Sequence, residues 1–139
     1  MTDRNSGLEI LSRDECLELL AGEEVGRLAV VDGLHPRIFP VNYAMDGDTI
    51  VIRTAPGTKL TFGTRSPVCF EIDHYDRAGR EGWSIVVDGM LQEVNSLSAP
   101  AVVRSTLASA VQPWAAGAKD HWLRLDTVRI TGRRIEQRF

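Results

Sequence analysis

The chain has 139 residues, a length that favours a single folded domain. Its 16 Lys and Arg against 19 Asp and Glu give a formal charge of −3, which argues against nucleic-acid binding, because nucleic-acid-binding proteins carry a basic surplus. Hydrophobic residues make up 43% and charged residues 25%, values typical of a globular domain. No apolar run approaches the roughly 20 residues of a membrane helix. With no signal-peptide pattern, we expect a cytoplasmic protein without membrane contact, whose Cys16 and Cys69 are free thiols.

The first predicted elements are a tail and a short helix. Residues 1–8 are predicted to form a flexible tail, and residues 9–139 a single domain. Ser12 and Glu15 have the spacing of a capping box, in which each side chain accepts the other residue's backbone N–H. The sequence therefore predicts a helix over 12–21 that ends at Gly22 in a left-handed turn.

Six segments rich in β-branched and apolar residues follow, separated by turn signals such as Asp32-Gly33 and Asp46-Gly47. The predicted strands are 25–31, 37–44, 49–54, 68–72, 83–94 and 121–130. Pro36 and Pro40 lack the N–H that a ladder needs, so the second strand is predicted to be an edge strand or bulged. Gly89 predicts a bulge or bend in the fifth strand.

Helices and a loop are predicted between the later strands. A short helix or helical turn is predicted to open at Thr58 and to reach about residue 64. A polar loop is predicted over 73–82, and an amphipathic helix over roughly 98–110, capped by Ser96 or Ser98. Short antiparallel strands joined by tight turns close readily into a barrel. We therefore expect a mainly β fold, a six-stranded antiparallel barrel with short helices packed on its outside.

The segment 53–59 has the composition of an anion-binding site. Arg53 can bind a phosphate with two N–H groups, and Lys59 adds a second positive charge. Thr54 and Thr58 add hydroxyl donors, and the predicted helix start supplies free backbone N–H groups. The alternative interpretation is a turn whose charges are solvated.

Two other stretches have residues that can border a flat ring. Asn42 places an amide among apolar neighbours on the second strand, and Trp83 stands beside the hydroxyl of Ser84 on the fifth. Taken alone, the first stretch is better explained as an ordinary edge strand and the second as a core Trp at a strand end. The three histidines are widely separated in the sequence, so no metal site is predicted.

Three further features have a functional and a plainer interpretation. Asp73 and His74 can form an acid–base pair, but we favour the interpretation of a solvated loop pair. Trp114 and Trp122 can line a substrate pocket, but we interpret them as dimer-interface residues, since aromatic residues are enriched at interfaces. Ser84 has no partner at the spacing of a hydrolase nucleophile.

Taken in order, five groups of residues resemble the pyridoxamine 5′-phosphate oxidase-like, flavin-binding split-barrel proteins, and above all their short actinobacterial members. These groups are Val25–Ala29, Pro40–Tyr43, Ile52–Thr54 with Gly57–Leu60, Phe70–Asp73 with Gly82–Ile85, and the ending Trp114–Ile135. The resemblance covers about residues 9–137, and it is the order and spacing of the groups that make it specific.

The resemblance implies a homodimer with two FMN sites at the subunit interface. Arg53 and Lys59 would hold the flavin phosphate, Thr54 and Thr58 would help, and the second strand would run beside the isoalloxazine ring. The cofactor-binding residues that it implies are Pro40, Val41, Asn42, Tyr43, Arg53, Thr54, Thr58, Lys59, Trp83 and Ser84.

Three functions fit this resemblance. The first is an FMN-dependent oxidoreductase acting on a small molecule, and the second is a reductase that uses the deazaflavin F420 on the same fold. The third is a non-enzymatic flavin-binding protein that stores or senses the cofactor. The oxidase proper carries a C-terminal arginine–histidine pair, which the ending Gln137-Arg138-Phe139 lacks, so we do not expect pyridoxamine phosphate oxidation. Because a flavin supplies the chemistry itself, no catalytic side chain is predicted.

Overall fold

The computed structural model describes residues 2, 8–57, 61, 63–115, 117 and 119–137. In chain order the elements are β1 (Glu9–Ile10), α1 (Arg13–Ala21), β2 (Val25–Asp32), β3 (His35–Asp46), β4 (Thr49–Thr54), β5 (Pro67–Asp76), β6 (Glu81–Val94), α2 (Pro100–Ala108) and β7 (His121–Ile135). The mainly β fold and all six predicted strands are confirmed. Residues 1 and 3–7 of the predicted tail lie outside the described residues.

Six strands close into a barrel. Antiparallel pairing runs through β7, β4, β3, β2, β5 and β6 and then returns from β6 to β7. Closure depends on the length of β7, which pairs with β4 over His121–Leu125 and with β6 along almost its whole length. The two-residue strand β1, which the sequence did not predict, pairs with Arg133 and Arg134 of β7.

The inward side chains of the barrel strands form one hydrophobic core. The largest fully buried side chains of this core are Phe70, Leu20, Leu28, Ile50, Ile52, Ile72, Ile85, Leu91, Leu123 and Leu125. Burying each such side chain stabilises the fold by roughly 1.5–3 kcal/mol. Helix α1 packs against β3 and β7 and adds Cys16 and Leu20 to the same core. The helix is therefore an integral part of the barrel's packing.

The capping box that begins α1 is confirmed. The Glu15 N–H donates to Ser12 Oγ at 3.2 Å, and the Ser12 N–H donates to Glu15 Oε1 at 3.1 Å. Gly22 does end the helix, but the predicted left-handed turn is wrong, because its φ is −87°. Its N–H donates to the Leu19 carbonyl at 3.2 Å, and this tightened last turn needs no left-handed residue.

The predicted polar loop over 73–82 is wrong, because β5 and β6 continue into it as a hairpin. The ladder pairs His74 with Trp83 and Tyr75 with Gly82, leaving only residues 77–80 as the turn. The two strands approach closely, and a Cβ at Gly82 would lie 2.7 Å from the His74 carbonyl oxygen. An antiparallel hairpin exposed to solvent accommodates many polar side chains, so its sequence resembles that of a polar loop.

The two irregular strands behave as predicted. Pro36 and Pro40 lie in the part of β3 that pairs with β2, whereas the β3–β4 pairs described begin only at Tyr43. Their missing N–H groups therefore face an open edge. The predicted irregularity at Gly89 is present, because the β6–β7 register shifts between Asp88 and Gly89. The extra residue of this bulge, Val128, lies in β7 opposite Gly89.

The remaining boundaries differ in detail. Strand β7 runs to Ile135 instead of 130, because β6 offers a ladder partner along the whole of that length. Helix α2 begins later than predicted, with Ala99 at its N-cap and no side-chain cap, since Ser98 Oγ accepts the Asn95 N–H instead. Of the predicted turn at 58–64, residues 58–60 and 62 lie outside the described residues. In the part of the chain that the structure describes, no helix has the length and apolar character needed to cross a bilayer.

Two glycines that are four residues apart in the chain, Gly22 and Gly26, should respond differently to a methyl group. Gly26 lies beneath the Phe70 ring, and a Cβ there would be 2.1 Å from Phe70 Cζ. We expect Gly26→Ala to lower the free energy of unfolding by about 1–3 kcal/mol, because the core must shift to admit the methyl group. Urea unfolding followed by circular dichroism measures the loss.

Gly22→Ala is the matched control for this prediction. A Cβ at Gly22 would meet only carbonyl oxygens, at 3.6 and 3.8 Å. We expect this variant to stay within about 0.5 kcal/mol of the parent protein. Equal losses in the two variants would contradict the tight packing of Gly26 against Phe70.

Candidate functional site

Arg53 lies at the end of β4 on the outer surface of the barrel, paired across the ladder with Trp122. Its guanidinium carbon is 4.6 Å from the centroid of the Trp122 ring, within the range of a cation–π contact. One terminal nitrogen donates to the Lys119 carbonyl at 3.3 Å, while Nε is buried without a hydrogen-bond partner. Among the described residues no carboxylate pairs with Arg53. An anion would satisfy this half-buried charge and its unused donor.

The other predicted members of the phosphate site lie elsewhere or outside the description. Thr54 follows Arg53 in β4, so its side chain points to the opposite, inner face, where it is buried. Its hydroxyl donates to the Ala55 carbonyl at 3.0 Å. Thr58 and Lys59 lie outside the described residues.

The strand beside Arg53 divides its predicted site residues between two faces. Val41 and Tyr43 are buried in the core; the Tyr43 hydroxyl donates to the Leu20 carbonyl, and burial raises its pKa. Pro40 and Asn42 alternate with them and face outward. The last β3–β4 pair is Tyr43 with Ile52. Asn42 precedes Tyr43 and Arg53 follows Ile52. Both residues therefore lie directly beyond this last pair, where the two strands separate.

A segment after α2 lies against these two residues. The Trp114 N–H donates to Asn42 Oδ1 at 2.8 Å, and the Lys119 carbonyl accepts from Arg53. The Trp114 side chain itself is 71% exposed. Asn42 Nδ2 has only a 3.5 Å contact with the Glu24 carbonyl, so its amide can still donate to a ligand.

Polar contacts fix the elements on either side of this segment. Arg124 Nη1 donates to Asp46 Oδ2 at 2.7 Å and to Thr106 Oγ1 at 2.9 Å, which ties α2 to β3 and β7. At the start of β7, His121 Nδ1 is 2.6 Å from Glu93 Oε1. These contacts hold the strand start that presents Trp122 to Arg53.

Trp114, Lys119 and Trp122 are site residues that the sequence did not assign to the cofactor. From the sequence we interpret the two tryptophans as interface residues, because only their aromatic character distinguishes them. Their position beside Arg53 follows from the β4–β7 register, which joins segments far apart in the chain and has no local sequence signal.

Trp83 and Ser84 lie at the other end of the barrel from Arg53. Trp83 pairs with Arg134, whereas Arg53 pairs with Trp122, about 12 positions earlier in β7 and roughly 40 Å away along a straight strand. One chain therefore does not bring all the predicted cofactor residues together. Trp83 and Ser84 instead line a separate cavity of about 460 Å³.

The predicted Asp73–His74 acid–base pair is not formed. The Asp73 carboxylate accepts from Arg27 Nη2 at 2.6 Å, on the outer face of the sheet. The His74 ring stacks on Trp83, with ring centroids 6.2 Å apart. Neighbouring residues of a strand point to opposite faces, so the two side chains diverge.

Arg27 also donates a hydrogen bond to Glu71, at 2.8 Å. The pKa values of the two carboxyl groups, Asp73 and Glu71, shift in opposite directions. Burial raises the pKa of Asp73, but hydrogen bonds from Glu71 and Arg27 outweigh burial and lower its pKa below the usual value. Burial and the hydrogen bond with Asp73 raise the pKa of Glu71. Arg27 thus holds Asp73, which lines the cavity, in an ion pair on the outer face of the sheet.

The fold is that of the split-barrel proteins, and the comparisons with known proteins agree. Residues 12–134 match the sequence model of the family described as pyridoxamine 5′-phosphate oxidase, and the chain belongs to that family. The FAD binding protein from Mycobacterium smegmatis is 35% identical; the match covers 94% of this chain and 100% of that one, with a TM-score of 0.80.

Two further relatives extend the comparison. A FAD-binding protein from Mesorhizobium loti is 26% identical over 93% of this chain and 99% of its own, with a TM-score of 0.74. Protein Rv0080 of Mycobacterium tuberculosis is 32% identical over 131 residues, which are 90% of this chain and 84% of Rv0080. The likeness therefore extends over nearly the whole barrel.

Arg27→Gln should raise the pKa of Asp73 toward its usual value, because the variant removes a hydrogen-bond donor and a positive charge from this carboxylate. A lowered folded pKa contributes stability that is present above the usual Asp range and is lost as the pH falls through the folded value. The variant should therefore lose less stability on acidification than the parent protein. A carboxyl ¹³C NMR titration measures the pKa directly.

Arg37→Gln serves as the control for this titration. Arg37 is exposed, and its contact with Asp32 is long, at 3.9 Å. An Asp73 pKa that is the same in the parent protein and both variants would show that Arg27 does not hold this carboxylate.

Proposed function

We propose that this protein binds a flavin nucleotide and transfers hydride or electrons between the flavin and a small organic molecule. The observation that carries the proposal is Arg53, a half-buried guanidinium stacked on Trp122 with a buried donor unused. The FAD-binding relatives at 35% and 26% identity support it. The sequence resemblance implies FMN, whereas these relatives bind FAD. Both nucleotides carry the phosphate that follows the ribityl chain, and that phosphate is the group assigned to Arg53.

The environment of Arg53 suits a phosphate for two physical reasons. The Trp122 ring holds the guanidinium plane in place, so little side-chain freedom is lost on binding. A charge-assisted hydrogen bond to a donor that is otherwise buried and unpaired contributes about 1.5–3 kcal/mol. The chain thus has one preformed contact that an anionic cofactor would complete.

The outward part of β3 suits the ring system of the cofactor. Asn42 has its oxygen engaged by Trp114, while its amide nitrogen remains able to donate to a ring oxygen or nitrogen. A bound flavin supplies the redox chemistry, and the protein contributes position and hydrogen bonds. The chain therefore needs no catalytic acid or base of its own near Arg53.

We further propose that two copies of the chain share each site. Arg53 and Trp83 lie at opposite ends of one barrel, and a two-fold axis would bring the end of one copy to the opposite end of the other. The outer surface of the barrel also exposes several large apolar side chains: Val31, Ile38, Val86 and Val128. An exposed apolar surface of this kind is typical of a protein interface.

The first test measures flavin binding to an Arg53 variant. Arg53→Gln should raise the Kd for FAD and FMN about 10- to 100-fold, since the variant loses a charge-assisted hydrogen bond. Quenching of flavin fluorescence measures the Kd, and F420 is titrated in the same way. Arg104→Gln, an exposed position on α2, is the control and should bind as the parent protein does.

The outcomes of this titration distinguish a flavin-binding protein from the alternatives. A parent protein that binds neither FAD nor FMN, or an Arg53→Gln variant with unchanged Kd, would contradict the proposal. Tighter binding of F420 than of both flavins would replace the flavin by the deazaflavin. A bound flavin that nicotinamide nucleotides never reduce would assign the protein to storage or sensing.

The shared site makes a prediction about mixed dimers. Arg53→Gln and Trp83→Leu each damage a different half of the site, so either variant alone should bind flavin poorly. Refolding the two variants together should restore tight binding in about a quarter of the sites, because half of the dimers are mixed and each mixed dimer has one intact site. Flavin stoichiometry after gel filtration measures the recovery.

Two results would contradict the shared site. No recovery in the mixture, with each variant folded by circular dichroism, would show that both residues act within one chain. Elution of the parent protein as a monomer would remove the dimer altogether.

A further inference from the structure

A cavity of about 460 Å³ lies on the outer face of the sheet at the β5–β6 hairpin. Its volume falls within the roughly 300–1,000 Å³ of small-molecule pockets. We propose that this cavity binds a planar organic anion, the molecule that reacts with the flavin. This inference deepens the proposed function and rests on it, because the flavin is what would make the bound molecule a reactant.

The exposed Tyr75 ring gives the cavity a flat aromatic wall. Ile135, also exposed, lines the cavity beside it. Gly82 is the ladder partner of Tyr75 and leaves the floor next to the ring without a side chain. The rings of His74 and Trp83 stack on the opposite, core-facing side of the hairpin. Flat apolar walls favour a flat ligand, because aromatic rings pack by offset stacking or edge contacts.

The carboxylates around the cavity already have partners. Asp73 is bound by Arg27 at 2.6 Å. Asp76 accepts the Ala78 N–H at 3.1 Å, and Glu81 accepts the Gln137 N–H at 3.3 Å. Arg27 therefore offsets the charge of Asp73, whereas Asp76 and Glu81 keep their charges and are held in place by backbone N–H groups.

Two arginines around the cavity are in a different condition. Arg77 and Arg80 lie on the hairpin turn and line the cavity, and neither forms an ion pair within the described part of the chain. Arg80 occupies the left-handed region, with φ 52°. Guanidinium groups without partners bind carboxylate or phosphate with paired N–H groups. The cavity thus combines a flat apolar wall with an anion-binding rim.

The position of the cavity fits a reacting molecule. Trp83 and Ser84 line it, and these are the residues proposed to meet the flavin held by the partner subunit's Arg53. A molecule in this cavity would therefore lie beside the flavin of the shared site.

The probe for this site is 2-naphthoate, with neutral 2-naphthamide as its uncharged counterpart. Isothermal titration of the flavin-loaded protein should show naphthoate binding about tenfold tighter than the amide. The double variant Arg77→Gln/Arg80→Gln should lose that preference while binding the amide unchanged. The control double variant Arg37→Gln/Arg104→Gln removes two exposed arginines elsewhere and should keep the preference. Equal affinities for the two probes, or a preference that survives in Arg77→Gln/Arg80→Gln, would overturn the proposal.

A second measurement separates this proposal from the flavin proposal. Naphthoate should shift the absorbance band of the bound flavin over the same concentrations at which it binds. Naphthoate binding without that shift would overturn the assignment of this molecule as a reactant, while leaving flavin binding intact. Loss of flavin in Arg53→Gln, with the naphthoate preference retained, would support two separate contacts. A parent protein that binds no flavin at all would overturn both proposals, the cavity's role included.

Discussion

The double pairing of β7 is the constraint on which the rest of the structure depends. Strand β7 forms ladders with both β4 and β6, and these two ladders close the sheet into a barrel with one continuous core. The same pairing sets Trp122 against Arg53 and Trp83 against Arg134. The barrel closure and the position of both candidate binding regions are thus consequences of one register. The bulge of β7 opposite Gly89 adjusts that register without opening the barrel.

The two binding regions use arginine in different physical conditions. Arg53 is half-buried, and its contact with an aromatic ring and a carbonyl leaves one donor unsatisfied. Its interaction with an anion would be weakly screened by salt. Arg77 and Arg80 are exposed on a turn, where screening is strong. The first condition suits a tightly held cofactor, and the second suits a molecule that must enter and leave.

The sequence predicts those parts of the fold that local chemistry determines. The capping box at Ser12 and Glu15 and the turns at Gly33 and Gly47, both with φ 62°, are fixed by neighbours in the chain, and so are the strands between them. The sequence predicts a loop where the structure has the β5–β6 hairpin, because solvent-facing strands can be as polar as loops. Trp122 was not assigned to the anion site, because only the long-range β4–β7 register places it beside Arg53. The family resemblance rests on the order and spacing of motifs that are dispersed along the chain, because composition alone does not indicate the family.

Pro36 and Pro40 protect the barrel from unwanted association. A closed barrel has few free edges, but the first half of β3 offers its outer side to solvent. An unpaired edge is a template on which strands from other molecules can add, and prolines interrupt the row of N–H donors that such growth needs. The first half of β3 can therefore remain unpaired on its outer side, next to the proposed flavin site, without promoting fibrous aggregation.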